Sequence, residues 1–247
     1  MRYDNAQDVR YKGGMQTDFQ RARSAASKQQ RAASLVEAAR SIAMADGVRA
    51  VTLTGIAARA GVHHSAVRRY FDSHREVLLH LAADGWTRWA DAVADRLDGG
   101  PGVGPAQLAS VLVETLAADP LTCDLFAHVP MHLEHDVPVA KVLEFKRTSF
   151  DAVEHIRDAI ARALPQLGTE GALDVVTAAN AMAATLWQVT HPRPELTAAA
   201  AASGSTAFAT FEQRDFTTTL SRLLAATVTG LVAADVGIAV DPHASEA

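Results

Sequence analysis

The chain has 247 residues, of which 49 % are apolar and 6 % aromatic, and its abundant Ala and nine Pro favour an all-α fold. A single cysteine, Cys123, excludes a disulfide framework and a cysteine-based zinc site within one chain, and the net charge is −5. The start lacks the apolar run of a signal peptide, and no stretch has the ~18 consecutive apolar residues of a membrane span, so we expect a cytoplasmic protein without a membrane partner.

The charge is divided unevenly along the chain. Residues 1–90 hold 14 Lys and Arg against 8 Asp and Glu, a net charge of +6, whereas residues 91–247 carry −11. A basic first third predicts contact with a polyanion. The alternative is a solvated surface on which the charges are unevenly distributed by chance. Residues 1–27 predict a flexible basic arm, which either reaches a DNA minor groove or remains a solvated leader.

A first amphipathic helix is predicted over residues 28–45. Its apolar side chains recur at the spacing of one helix face, as in Leu35, Ala39 and Ile42. Asp46–Gly47 ends the helix, because glycine adopts the left-handed conformation that other residues resist.

A helix-turn-helix is predicted next. A short helix over 53–60 begins after Thr52, a good N-cap, and Gly61 makes the turn into a helix over 63–70. Small alanines allow the two helices to approach closely, and four further side chains are expected in the core: Val62, Ala66, Val67 and Phe71. The outer face of the second helix is then free to enter a DNA major groove.

The stretch LVEAARSIAMADGVRAVTLTGIAARAGVHHSAVRRYFDSHREVLLHLA resembles the N-terminal domain of the TetR family of transcriptional repressors. The segment VTLTGIAARAGV, the pair Tyr70–Phe71 and the E-x-L-L opening of the next helix carry this resemblance. It implies a homodimer that binds a palindromic operator in double-stranded DNA and is released by a small-molecule effector. An activator, or a regulator without a small-molecule ligand, is the alternative. No enzyme motif and no cofactor motif is found.

The candidate DNA contacts are eight polar side chains around the helix-turn-helix: Thr52, Thr54, His63, His64, Ser65, Arg68, Arg69 and His74. The two adjacent histidines and the serine start the recognition helix, where side chains reach base edges. The arginines are expected to meet phosphate or guanine, and the threonines phosphate at a helix N-terminus. His63 is alternatively only an N-cap. The family usually has Tyr in place of Arg68 and Lys in place of His74, which puts a charged contact by His74 in doubt.

The fold expected for the whole chain is a helix-turn-helix domain over residues 28–82, followed by a larger helical domain over 83–247. The fourth helix begins after the capping pair Asp72–Ser73. GGPGVGP, residues 99–105, indicates a linker, because a phosphate loop would need a preceding strand and a lysine. Residues 191–204 predict a loop with at most a helical turn. The last two long helices, over 170–190 and 213–235, are the expected dimer interface, as the resemblance implies.

The candidate ligand-binding residues are aromatic and polar side chains within the apolar helices: Phe126, His128, Met131, His132, Phe145, Phe150, Trp187 and Gln188. Ligand pockets combine apolar walls with a few polar groups, but each of these residues is alternatively ordinary core. His128, His132 and His135 have a spacing that suits zinc or nickel on one helix face. Because Pro130 interrupts that helix, we expect no metal site.

Overall fold

The computed structural model describes residues 7–204 and 215–238, and the side chains of 27–204 and 215–234. Over these residues the chain forms ten α-helices and no strand, which confirms the all-α prediction. The helices are α1 (Gln7–Asp46), α2 (Leu53–Arg59), α3 (His64–Val67), α4 (His74–Leu97), α5 (Pro105–Ala117), α6 (Pro120–His128), α7 (Val139–Ala163), α8 (Gly168–Thr190), α9 (Pro194–Ser203) and α10 (Phe216–Ile238). Two short 3-10 turns, Val48–Ala50 and Pro165–Leu167, and a π-helical turn, Val129–Leu133, join some of them.

The first helix starts earlier than the sequence pattern predicts. Helix α1 begins at Gln7, inside the predicted arm, where Gln, Arg and Ala all have good helix propensity. Residues 1–6 of that arm lie outside the described residues, and the flexibility of the arm stays a prediction. The predicted stripe is buried, with Leu35, Ala39 and Ile42 each less than 10 % exposed.

Helices α1 to α3 and the start of α4 form a small N-terminal domain, here called the head. Its core contains Ile56, Val67 and Phe71, all at most 4 % exposed. Val62 was expected in this core but is exposed, because it lies in the turn between α2 and α3. Helix α3 is also shorter than predicted: it ends at Val67 and continues into turns.

The remaining helices form a larger domain, here called the body. Helix α4 runs from the head into the body and packs along α7, while α10 packs against α5 and α8. The fully buried side chains between these helices are large aliphatic residues, among them Leu81, Leu108, Leu112, Ile156, Ile160, Leu220 and Leu224. Burying each such side chain stabilises the fold by about 1.5–3 kcal/mol.

Two elements of the body differ from the sequence prediction. Residues 194–203 form helix α9 where a loop was expected, because Pro194 occupies the first turn and alanines follow it. Within the described residues, α10 is the helix that is long and apolar enough to cross a membrane by length and composition alone. Only 28 % of its apolar stretch, Phe216–Ala234, is buried within the chain.

Candidate nucleic-acid interface and cavities

The helix-turn-helix is held by local hydrogen bonds. The Thr52 Oγ1 accepts a hydrogen bond from the Gly55 N–H at 3.0 Å and so caps α2, as predicted. Gly61 has a φ of +66°, which suits glycine, and the following Val62 N–H donates to the Ala57 carbonyl at 3.0 Å. These bonds fix α3 on the core with its outer face toward solvent.

His63 is the N-cap of α3. Its Nδ1 accepts a hydrogen bond from the Ser65 N–H at 3.3 Å and lies 2.9 Å from the Ser65 Oγ. The ring is exposed, so Nε2 remains available to a nucleic acid. The capping role considered for His63 is therefore compatible with a contact through its other nitrogen.

The sequence around α2 and α3 is rich in arginine and poor in acidic residues. No Asp or Glu occurs between Asp46 and Asp72, while the same stretch contains four arginines. Arg68 and Arg69 are both exposed, and no carboxylate of the described residues lies within 4 Å of either guanidinium. This arrangement leaves a concentrated positive potential for a polyanion.

His74 begins α4 at the edge of this surface. Burial of the half-buried ring, and then the neighbouring Arg75 charge, lower the pKa of His74 below its usual value of 6.5. At neutral pH the ring is therefore neutral and offers a hydrogen bond without a full charge. The start of α4 is capped by Ser73, whose Oγ accepts from the Glu76 N–H at 3.2 Å.

The body contains a cavity of about 570 Å³ between α4, α6, α7 and α8, here called the body cavity. Its walls are largely aromatic and aliphatic, and Trp86 packs on Phe126 with ring centroids 4.4 Å apart. Lys146 and Glu134 form an ion pair at its edge, with 2.5 Å between Nζ and Oε1. The Asn180 Oδ1 is buried here and accepts no hydrogen bond from any described residue.

A second cavity, of about 900 Å³, lies where the head meets the body and is here called the junction cavity. The end of α1 and the turn that carries Arg49 form one side. Residues of α6, of α8, of α9 and of the link between α8 and α9 form the other side. They include the stacked rings of Trp187 and His191, whose centroids are 3.6 Å apart.

A polar network at the junction cavity connects head and body. Asp124 on α6 accepts hydrogen bonds from the Val48 N–H at 3.1 Å and from the Gln188 Nε2 at 2.7 Å. Arg49 donates through Nε to the His128 Nε2 at 3.2 Å, and the His128 Nδ1 lies 2.8 Å from the Asp124 carbonyl oxygen. The imidazole must therefore carry its proton on Nδ1 to serve both contacts.

Two family models match the chain. The model described as bacterial regulatory proteins, tetR family, matches residues 35–81. The model described as tetracyclin repressor-like, C-terminal domain, matches residues 83–235 and alone spans more than half of the chain. The chain belongs to the TetR family.

This TetR-family protein is a DNA-binding transcriptional regulator and not an enzyme. Solved structures of similar fold include the regulatory protein SCO4313, with 20 % identity, a TM-score of 0.50 and coverage of 83 % of this chain and 96 % of that chain. FadR of Thermus thermophilus in complex with lauroyl-CoA also matches, with 20 % identity, coverage of 87 % of this chain and 98 % of that chain, and a TM-score of 0.42. The likeness to SCO4313 shows the fold alone. No curated protein matches the chain.

The eight predicted ligand residues of the TetR-family chain do not form one group. Three line the body cavity: Phe126, Phe145 and Phe150. Three others line the junction cavity: His128, Trp187 and Gln188. Met131 and His132 lie on the exposed side of the π-helical turn and line neither cavity, because the turn directs both side chains to solvent.

The three histidines of this region are not brought together as metal ligands. His128 is buried and engaged with Arg49 and with the Asp124 carbonyl, and its ring centroid lies 6.2 Å from that of His132. Among the described residues no group of three His, Cys, Asp or Glu could hold a metal ion.

Sequence reasoning missed the residues that matter most at the two cavities. Arg49 and Asp124 belong to the junction network, although they lie far apart in the sequence. Asn180 was not among the predicted ligand residues, although a side-chain amide in the middle of the Ala-rich helix α8 is a visible signal. An amide that faces an apolar cavity is the type of polar group that orients a ligand.

Proposed function

We propose that the protein is a ligand-responsive repressor that binds a palindromic operator as a homodimer and is released from DNA by a small-molecule effector. The observation that carries this proposal is the exposed surface of α2 and α3, whose sequence has no acidic residue and whose Arg68 and Arg69 form no ion pair with any described residue. Together with family membership, this surface supports sequence-specific binding of double-stranded DNA in the cytoplasm.

Each predicted contact has a role in this proposal. His63, His64 and Ser65 read base edges from the start of α3, where recognition helices meet the major groove. Arg68 and Arg69 bind phosphate or a guanine. Thr52 and Thr54 at the start of α2 bind phosphate, and so does the neutral His74 at the start of α4.

The exposed face of α10 supports the homodimer. Small side chains recur on this face at i, i+4 and i+7, as Ala226, Gly230 and Ala233, and all three are exposed in the single chain. Small residues let two helices approach closely, and a two-fold pair of α8 and α10 would bury this face. The charged Arg222 on the same face disfavours a location inside a bilayer.

We place the effector in the body cavity. Trp86 of α4 lines this cavity, and α4 begins directly after the DNA-binding surface. Helix α4 has 24 residues and spans about 36 Å. A displacement of its C-terminal end in the body therefore also moves its N-terminal end in the head. The buried Asn180 Oδ1 supports an effector with an apolar body and one hydrogen-bond donor.

DNA selection tests the operator. The purified protein is mixed with a pool of random duplexes, and bound duplexes are amplified and sequenced. The proposal expects an inverted repeat whose half-sites are related by the two-fold axis of the dimer. Enrichment of a single half-site, or of no sequence, would contradict it.

A neutral fluorescent probe tests the effector cavity. N-phenyl-1-naphthylamine brightens in apolar surroundings and carries an N–H donor. We expect it to bind the protein and to bind at least about five-fold less tightly to Val153→Trp, which places an indole in the body cavity. Val189→Trp at the junction cavity is the matched control and should leave binding unchanged. Equal binding to all three proteins would contradict the placement.

A further inference from the structure

The junction cavity has walls from both domains. The head contributes the end of α1 and Arg49, and the body contributes Leu121, Trp187 and Leu196 among its apolar lining. A molecule held there would touch the head and the body at once. No described residue of α1 to α3 lines the body cavity.

Two of the three aspartates that line the junction cavity accept hydrogen bonds from protein donors. Asp119 accepts two hydrogen bonds from Arg88, at 3.0 and 2.7 Å, and caps α6. Asp124 accepts from the Val48 N–H and from Gln188. Asp46 alone has no donor among the described residues, and it is exposed at the end of α1.

The two arginines of the same cavity form no ion pair with a described carboxylate. Within the described part of the chain, neither Arg49 nor Arg193 has a carboxylate within 4 Å. Arg49 donates through Nε to the His128 Nε2, and its two terminal nitrogens have no acceptor among the described residues. Guanidinium groups without a carboxylate partner are well suited to bind an anion.

We propose that the junction cavity is a second ligand site, which binds an amphipathic organic anion. The anionic group is held by Arg193 and Arg49, and the apolar body packs against Trp187 and Leu196. This site is separate from the effector site in the body cavity and does not depend on it. Because Arg49 lies in the 3-10 turn four residues before the start of α2, the anion links the DNA-binding head to the body.

Two probes with the same ring skeleton test the requirement for an anion. Anilinonaphthalene sulfonate carries a sulfonate that N-phenyl-1-naphthylamine lacks, and both fluoresce in apolar sites. We expect Arg193→Gln to weaken binding of the sulfonate by about five-fold and to leave the neutral probe unchanged. Arg193→Lys, which keeps the charge, should retain most of the affinity. Arg162→Gln is the matched control, because this exposed arginine of α7 lines neither cavity.

The proposal is overturned if Arg193→Gln and Arg162→Gln bind the sulfonate as tightly as the wild-type protein. The two tryptophan variants then locate the probe. Binding of the sulfonate should fall in Val189→Trp and persist in Val153→Trp. The opposite pattern would place the anion in the body cavity and would also overturn the proposal. Loss of the neutral probe in Val153→Trp depends on the effector site alone, so the two proposals fail separately.

Discussion

At the scale of single residues, Asp119 shows how a half-buried carboxylate is stabilised. Burial alone raises the pKa of Asp119. Hydrogen bonds from Arg88 and Thr122 lower this pKa by a larger amount, so the net shift is downward from 3.8. A carboxyl group with a lowered pKa in the folded protein adds stability above its unfolded pKa. This contribution is lost as the pH falls through the folded pKa.

Removal of this carboxylate is therefore expected to destabilise the protein in a pH-dependent way. Asp119→Ala removes the cap and the ion pair and should lower the free energy of unfolding by about 1–2 kcal/mol at pH 7. Asp119→Asn keeps a capping oxygen and should cost less. The difference between Asp119→Asn and the wild-type protein should shrink at pH 3, as measured by urea denaturation. An equal difference in the free energy of unfolding at pH 7 and at pH 3 would contradict a lowered pKa of Asp119 in the folded protein.

Residue-level features could be predicted where they are local. The caps Thr52 and Ser73 were predicted because the side chain and the backbone N–H it meets lie three residues apart. The bond between Arg49 and His128 joins residues 79 positions apart, and no sequence pattern reports such a contact. The split of the ligand residues between two cavities was missed for the same reason.

At the scale of helices, α4 and α6 meet at a close contact. Gly85 on α4 faces Thr122 of α6, and a β-carbon at position 85 would lie only 2.5 Å from the Thr122 Oγ1. Thr122 is itself buried, so its side chain has little room to move. The contact therefore requires glycine, although its backbone is helical.

A methyl group at this contact should destabilise the fold. We expect Gly85→Ala to lower the free energy of unfolding by about 1–3 kcal/mol despite the better helix propensity of alanine. The added change Thr122→Ala should restore part of that loss, as a double-mutant cycle in denaturant would show. Gly171→Ala is the control, because its β-carbon would meet Leu167 at an ordinary 3.4 Å. Equal stability of the Gly85 and Gly171 variants would contradict the packing described.

Most helices could be predicted from the sequence. Of the irregular features, the break at Pro130 could be predicted, but the early start of α1 could not. Periodic apolar residues and Gly61 predict the helix-turn-helix, because that motif depends on residues that are close in sequence. Pro130 was expected to interrupt a helix, and the chain forms a π-helical turn there. The early start of α1 was missed because its first turns carry no apolar stripe to reveal them.

At the scale of the whole molecule, the exposed small-residue face of α10 is the proposed homodimer interface. An arginine in the middle of this face should prevent two copies from approaching, so Ala226→Arg is expected to convert a dimer to a monomer. Ala140→Arg on α7 introduces the same side chain at another exposed alanine and should leave the dimer intact. Light scattering after gel filtration measures both masses. A dimer that survives Ala226→Arg would exclude this face as the interface.

Sequence-specific recognition of DNA by α3 is tested most directly by salt-dependent binding of the purified protein to genomic DNA fragments from the organism that encodes it. We expect a preferred fragment. Arg68→Ala should weaken binding to all fragments and reduce the slope of log K against log salt by about one. His64→Ala should cost ~1–3 kcal/mol on the preferred fragment alone. Arg162→Ala, on the body, should bind like the wild-type protein. Binding without any preferred fragment, even at low salt, would contradict sequence-specific recognition by α3.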